Sequence, residues 1–138
     1  MRLPSFVLLL FFLTCGLGCS KEKGSDCQKL VQFVGPQRQA LSESFGQSNQ
    51  TPTELETLAA TYDKTAADLN ALDLKDESVK QVASDYAVIF SKAAKIRRDQ
   101  AGAGSALDPA AAAKSQASAT TFVVEEMRIK ARLDTTCR

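Results

Sequence analysis

From Cys27 onward the apolar residues return at intervals of three and four, and no stretch alternates apolar with polar for long enough to build a half-buried strand. An α-helix turns every 3.6 residues, so this spacing gathers one apolar face per helix, whereas a strand needs a period of two. The pattern predicts an all-α fold and argues against a sheet. Gly and Pro punctuation divides the pattern into four pieces. In the first, Cys27, Leu30, Val31, Val34, Leu41 and Phe45 share a face that Gly35-Pro36 interrupts. Proline lacks a backbone donor and its ring clashes with the carbonyl four residues back, so a kink or a break is expected there. A break would give five segments.

The other three pieces carry clearer boundaries. Thr51-Pro52-Thr53-Glu54 has the form of a capping box with Pro at the first helical position. Leu55, Leu58, Ala59, Tyr62, Ala66, Leu69 and Leu72 follow it. Asp76 is a good cap for a third helix whose stripe is Val79, Val82, Ala83, Tyr86, Ile89, Phe90, Ala93 and Ile96. Residues 101–105 read as a flexible loop, and Asp108-Pro109 opens a fourth helix running to about Asp134. For this helix the expected inner face is Ala113, Ala117, Thr120, Val124, Met127 and Ala131, with Phe122, Ile129 and Leu133 on a flanking strip. Connections are short, which favours antiparallel neighbours in an up-down four-helix bundle.

Composition narrows the chemistry. The chain has 138 residues, enough for one modest domain, a formal charge of +1 and no His. Without His there is no Ser/His/Asp triad, no His-ligated zinc and no Glu-x-x-His di-iron site. Near-neutral charge argues against nucleic acid as a partner, because displacing counterions from phosphates takes an excess of Lys and Arg.

The first nineteen residues stand apart. Arg2 precedes an unbroken apolar run from Phe6 to Leu13, and residues 14–20 turn small and weakly polar. The run falls short of the roughly 20 apolar residues of a spanning helix and has the layout of an export signal. Gly16-Leu17-Gly18-Cys19 places small residues at the third and first positions before a Cys, whereas Cys15 follows Phe12, Leu13 and Thr14. On those residues the segment resembles a bacterial lipoprotein signal, although its Leu stands two positions before the Cys where that family has it three before. The resemblance implies that residues 1–18 are a signal peptide and that the Cys19 thiol is diacylated. With Ser20 next, it further implies anchoring in the cell envelope, at the outer membrane. Two acyl chains suffice for stable anchoring at about 0.8 kcal/mol per buried methylene. Residues 19–26 then form the lipidated N-terminus with a polar tether, at most about 25 Å long when extended, and residues 27–138 form the bundle.

If Cys15 leaves with the signal and Cys19 carries lipid, Cys27 and Cys137 remain, and in an oxidising compartment they are expected to pair. An up-down bundle with an even number of helices brings both chain ends together. An odd number would hold the two Cys a helix length apart, beyond the roughly 7 Å that Cα atoms in a disulfide allow.

Candidate chemistry within the bundle is sparse. Glu125 and Glu126 are adjacent and point about 100° apart on a helix, so they are not a ready chelate, and Met127 reads as core filler. Asp63, Asp68, Asp85 and Glu126 carry no acid–base signature. Glu126 and Lys130 have the spacing of a surface i,i+4 pair. Lys92, Lys95, Arg97 and Arg98 make the one local basic cluster, which reads as a solvated face and otherwise as a contact for anionic headgroups or cell-wall polymer. Tyr62, Tyr86 and Thr120 fall on expected inner faces and are the candidates to face a ligand. The chain is therefore expected to be non-catalytic and free of cofactors, an anchored bundle contacting an envelope protein or the cell wall. The alternative is a carrier holding a hydrophobic small molecule between its helices.

Overall fold

The computed structural model describes residues 19–103 and 109–138. The expected signal segment with Cys15, the tip of the third loop and the Asp108 cap lie outside the described residues. Four helices follow one another: α1 (Cys19–Gly46), α2 (Pro52–Asn70), α3 (Glu77–Ala103) and α4 (Pro109–Thr136). No strand occurs among the described residues.

Local signals set several ends. The Thr51 side chain accepts the Glu54 backbone N–H at 3.3 Å, and the Glu54 carboxylate accepts the Thr51 N–H at 2.7 Å, closing the capping box with Pro52 at the first turn. Asp76 caps α3 by accepting the N–H groups of Ser78 at 2.9 Å and Val79 at 3.1 Å. Those bonds satisfy donors that a helix start leaves without partners. Asn49 adopts φ 73° in the α1–α2 turn, a left-handed conformation that Asn tolerates better than most residues.

One alternative for α1 is settled and one expectation is corrected. The helix is continuous through Pro36, which settles the open choice between a kink and a break in favour of the four expected segments. The chain is already helical at Cys19, the first described residue, so residues 20–26 are helical and not an extended tether. Asp26, a residue expected in that tether, is part of the packed fold. Asp26 is 2% exposed, and its carboxylate accepts the backbone N–H groups of Lys75 and Asp76, the latter at 2.7 Å. The bond from Asp76, opposed by burial and aided by the Lys75 bond, holds the Asp26 carboxyl below its usual range. One side chain thus clasps α1 to the α2–α3 turn where the helix enters the bundle. Val31, expected on the apolar face, is 47% exposed, while Asp26 and Ser44 occupy buried positions.

Long-range contacts give the helix directions. Asp26 lies by the start of α3 and Ser44 by Arg97 near its end, so α1 and α3 run parallel. Asp85 meets Arg132 and Lys92 meets Glu125, so α4 runs antiparallel to α3. This is the up-down bundle that short connections favour. The core is centred on α3, whose Val79, Val82, Tyr86, Ile89, Phe90 and Ala93 are each at most 1% exposed. Leu30 and Val34 of α1 and Ala59 and Leu69 of α2 close over it. Burying each large apolar side chain contributes about 1.5–3 kcal/mol.

The register of α4 is the largest correction. Phe122 and Leu133 are buried and Ile129 and Cys137 pack against the core, so the strip expected to flank is the inner face. Ala113, Ala117, Thr120 and Ala131 are exposed, with Val124 at 45% and Met127 at 62%. The inner strip includes Glu126, which reads as a polar interruption in one dimension. In the fold its carboxylate pairs with Arg38 of α1, and the stacked Phe45–Phe122 rings lie 5.0 Å apart one level along. Glu126 therefore does not form the expected surface pair with Lys130, which instead bonds Asp134 at 2.6 Å.

Candidate functional site

The two chain ends meet. Cys27 and Cys137 form a disulfide with Cα atoms 5.5 Å apart. Parity explains this: four antiparallel helices return the chain to its starting end, where α1 leaves the bundle toward Cys19. Residues 19–26 add about 12 Å of helix at 1.5 Å per residue. The expected modification position thus lies on a helix that runs from there into the core.

The three expected ligand-facing residues are not brought together. Tyr62 is buried, its hydroxyl bonds Ser44 Oγ, and its ring sits 6.1 Å from that of Phe90. Tyr86 is wholly buried and its hydroxyl has no hydrogen-bond partner among the described residues. Burial pushes its pKa up to about 12, against partial relief from the Arg38 charge. Thr120 is exposed and its hydroxyl donates to the Gln116 carbonyl of its own helix at 3.0 Å. A groove of about 310 Å³ runs along α3 past Ser84, Val88, Ser91 and Lys95, and another of about 320 Å³ lies beside Val31, Leu133 and Cys137. Neither is lined by Tyr62, Tyr86 or Thr120.

The expected basic cluster is dispersed by the fold. Lys92 bonds Glu125 of α4, Lys95 bonds Asp99, and Arg98 pairs with Asp63 of α2. Arg97 points the other way and is 3% exposed. Its guanidinium carbon lies 3.9 Å from the centroid of the Phe45 ring, and its Nη atoms donate to Gln100 at 2.8 Å and Ser44 at 3.2 Å. Ser44 in turn donates to the Leu41 carbonyl at 2.8 Å. Burial lowers the Arg97 pKa, and cation–π attraction to Phe45 offsets part of the lost hydration. Sequence reasoning missed this buried cation. The available signal was its place on the α3 stripe, at Phe90, Ala93 and Arg97 in steps of three and four.

The structure holds no histidine, and no group of three Cys, Asp or Glu side chains converges among the described residues. No helix of the described residues is long and apolar enough to cross a membrane. Fold and geometry define an all-α four-helix bundle closed by a disulfide between its ends. In comparisons with protein-family models, curated proteins and solved structures, the chain matches none.

Proposed function

We propose that this chain is a lipid-anchored, non-catalytic protein of the bacterial cell envelope, whose bundle works by contact with protein or cell wall. The observation that carries the reading is positional. Cys19, the residue with the spacing of a lipid-modified cysteine, lies on α1 eight residues ahead of Cys27, and α1 enters the bundle from there without a break. Acyl chains at Cys19 would hold the domain through a helical stalk about 12 Å long, stiffened where Asp26 clasps the α2–α3 turn. Such a mount would keep the bundle close to the membrane surface, where its partners in the envelope are met.

Metabolic labelling with a clickable palmitate analogue in bacteria expressing the full chain tests it. Label on the wild type that disappears in Cys19→Ser, together with loss of residues 1–18 in the mature protein, is the expected result. An unlabelled wild type, or label that survives Cys19→Ser, overturns the reading.

A further inference from the structure

Among the described residues Arg97 is the only buried cation, and no carboxylate is set against it. The carboxylates on adjoining turns are committed elsewhere. Asp99 bonds Lys95 at 2.7 Å, Asp63, next to Tyr62, pairs with Arg98, and Glu43, next to Ser44, accepts from Gln39 at 2.9 Å. What the guanidinium does reach is neutral. Its Nη atoms donate to the Gln100 carboxamide oxygen at 2.8 Å and to Ser44 Oγ at 3.2 Å, and the Phe45 ring covers one face. Its Nε donates to nothing among the described residues. Ser44 gives its own proton to the Leu41 carbonyl, so the Tyr62 hydroxyl also donates to Ser44. The cluster therefore holds more donors than acceptors.

A buried charge without an opposite charge is costly, and an apolar side chain at this point of the α3 stripe would pack without that cost. The imbalance calls for an acceptor from outside the chain. Phe45 and Gln100, which cover Arg97, are each only partly buried, so the guanidinium lies one side chain below the surface. The Gln100 carboxamide is the neutral isostere of a carboxylate, and it already occupies the place on Nη1 that a carboxylate oxygen would take. We propose that Arg97 is a seat for a carboxylate group of a binding partner, which displaces the Gln100 amide. One negative charge balances one guanidinium. A phosphate dianion would bring a second charge with no cation to meet it, because Lys95 and Arg98 are paired with Asp99 and Asp63. The seat lies at the end of the bundle opposite the disulfide, and so far from Cys19. It would serve the contact role proposed for the bundle, and its test is separate from that of acylation.

Sodium acetate, titrated in place of chloride into the full chain isotope-labelled on arginine, reads the seat through the Nε–Hε resonances. That of Arg97 is identified by its loss in Arg97→Lys and by its contact with the Phe45 ring. It is expected to move along a saturating curve, while those of Arg98 and Arg132 do not. Gln100→Ala removes the competing amide and is expected to tighten acetate binding about fivefold, the worth of one net hydrogen bond. Gln100→Glu fills the seat from within the chain and is expected to abolish the acetate response. No saturating shift at Arg97, a larger response to phosphate than to acetate, an acetate response that persists in Gln100→Glu, or binding no tighter in Gln100→Ala, overturns the proposal.

Discussion

Tyr62 and Tyr86 are buried in the same core, yet the same substitution is expected to move stability in opposite directions. The Tyr62 hydroxyl bonds Ser44, whereas that of Tyr86 has no partner among the described residues. A buried polar group without a partner costs about 1–3 kcal/mol, and a made hydrogen bond contributes about 1 kcal/mol net. Tyr86→Phe keeps the ring that packs and removes the unpaired oxygen. It is expected to stabilise by about 1 kcal/mol, at the low end because a small void remains. Tyr62→Phe is expected to destabilise by about the same amount. At about 3–5 °C per kcal/mol for a domain of this size, the two unfolding midpoints should separate by roughly 6–10 °C, measured by circular dichroism at neutral pH. The pH dependence supplies a second readout. The Tyr86 pKa is raised to about 12 in the folded chain, so the native state holds this proton more tightly than the unfolded state does. That contribution is complete below about pH 10, the ordinary value for Tyr, and is lost as pH climbs toward 12. Tyr86→Phe should flatten this alkaline decline. A Tyr86→Phe protein as destabilised as Tyr62→Phe, with the decline unchanged, would refute the reasoning.

Four further outcomes are expected. Cys27→Ser with Cys137→Ser opens a loop with a sequence separation of 110 and should lower unfolding free energy by about 4–5 kcal/mol. Urea titration checks this, and a loss below about 1 kcal/mol would show that the helices alone hold the ends. Pro36→Ala should stabilise by up to about 3 kcal/mol, because it restores a donor inside continuous α1 at an exposed position. Gly35→Ala should add about 0.5–1 kcal/mol, since a Cβ there meets nothing within 4 Å. Asp26 has a lowered folded pKa, so its stabilisation is present above the unfolded carboxyl value and is lost as pH falls below about 4. Asp26→Asn should flatten the acid limb of the stability profile, and an identical acid limb in both proteins would count against the clasp.

Helix number, helix type and most boundaries were legible in the linear chain, because they rest on local physics. Thr51 and Glu54 are close in sequence, and so are Asp76 and Val79, so their caps need no distant partner. The pairing of Cys27 with Cys137 was legible too, because they are the two cysteines left once Cys15 and Cys19 are assigned to the export signal and its lipid, and an even helix count returns them to one end. The face that α4 turns inward was not legible. Its sequence carries two apolar stripes, and the one chosen by the fold contains a glutamate that becomes acceptable only when Arg38 of another helix meets it. The same holds for Arg97, a cation made tolerable in the core by Phe45 and Ser44, and for Asp26, whose amide partners lie some fifty residues away. Periodicity says that a face is apolar. Which polar groups can share it depends on partners that only the packed chain brings within hydrogen-bonding range, where the cost of burial is met by contacts from other helices.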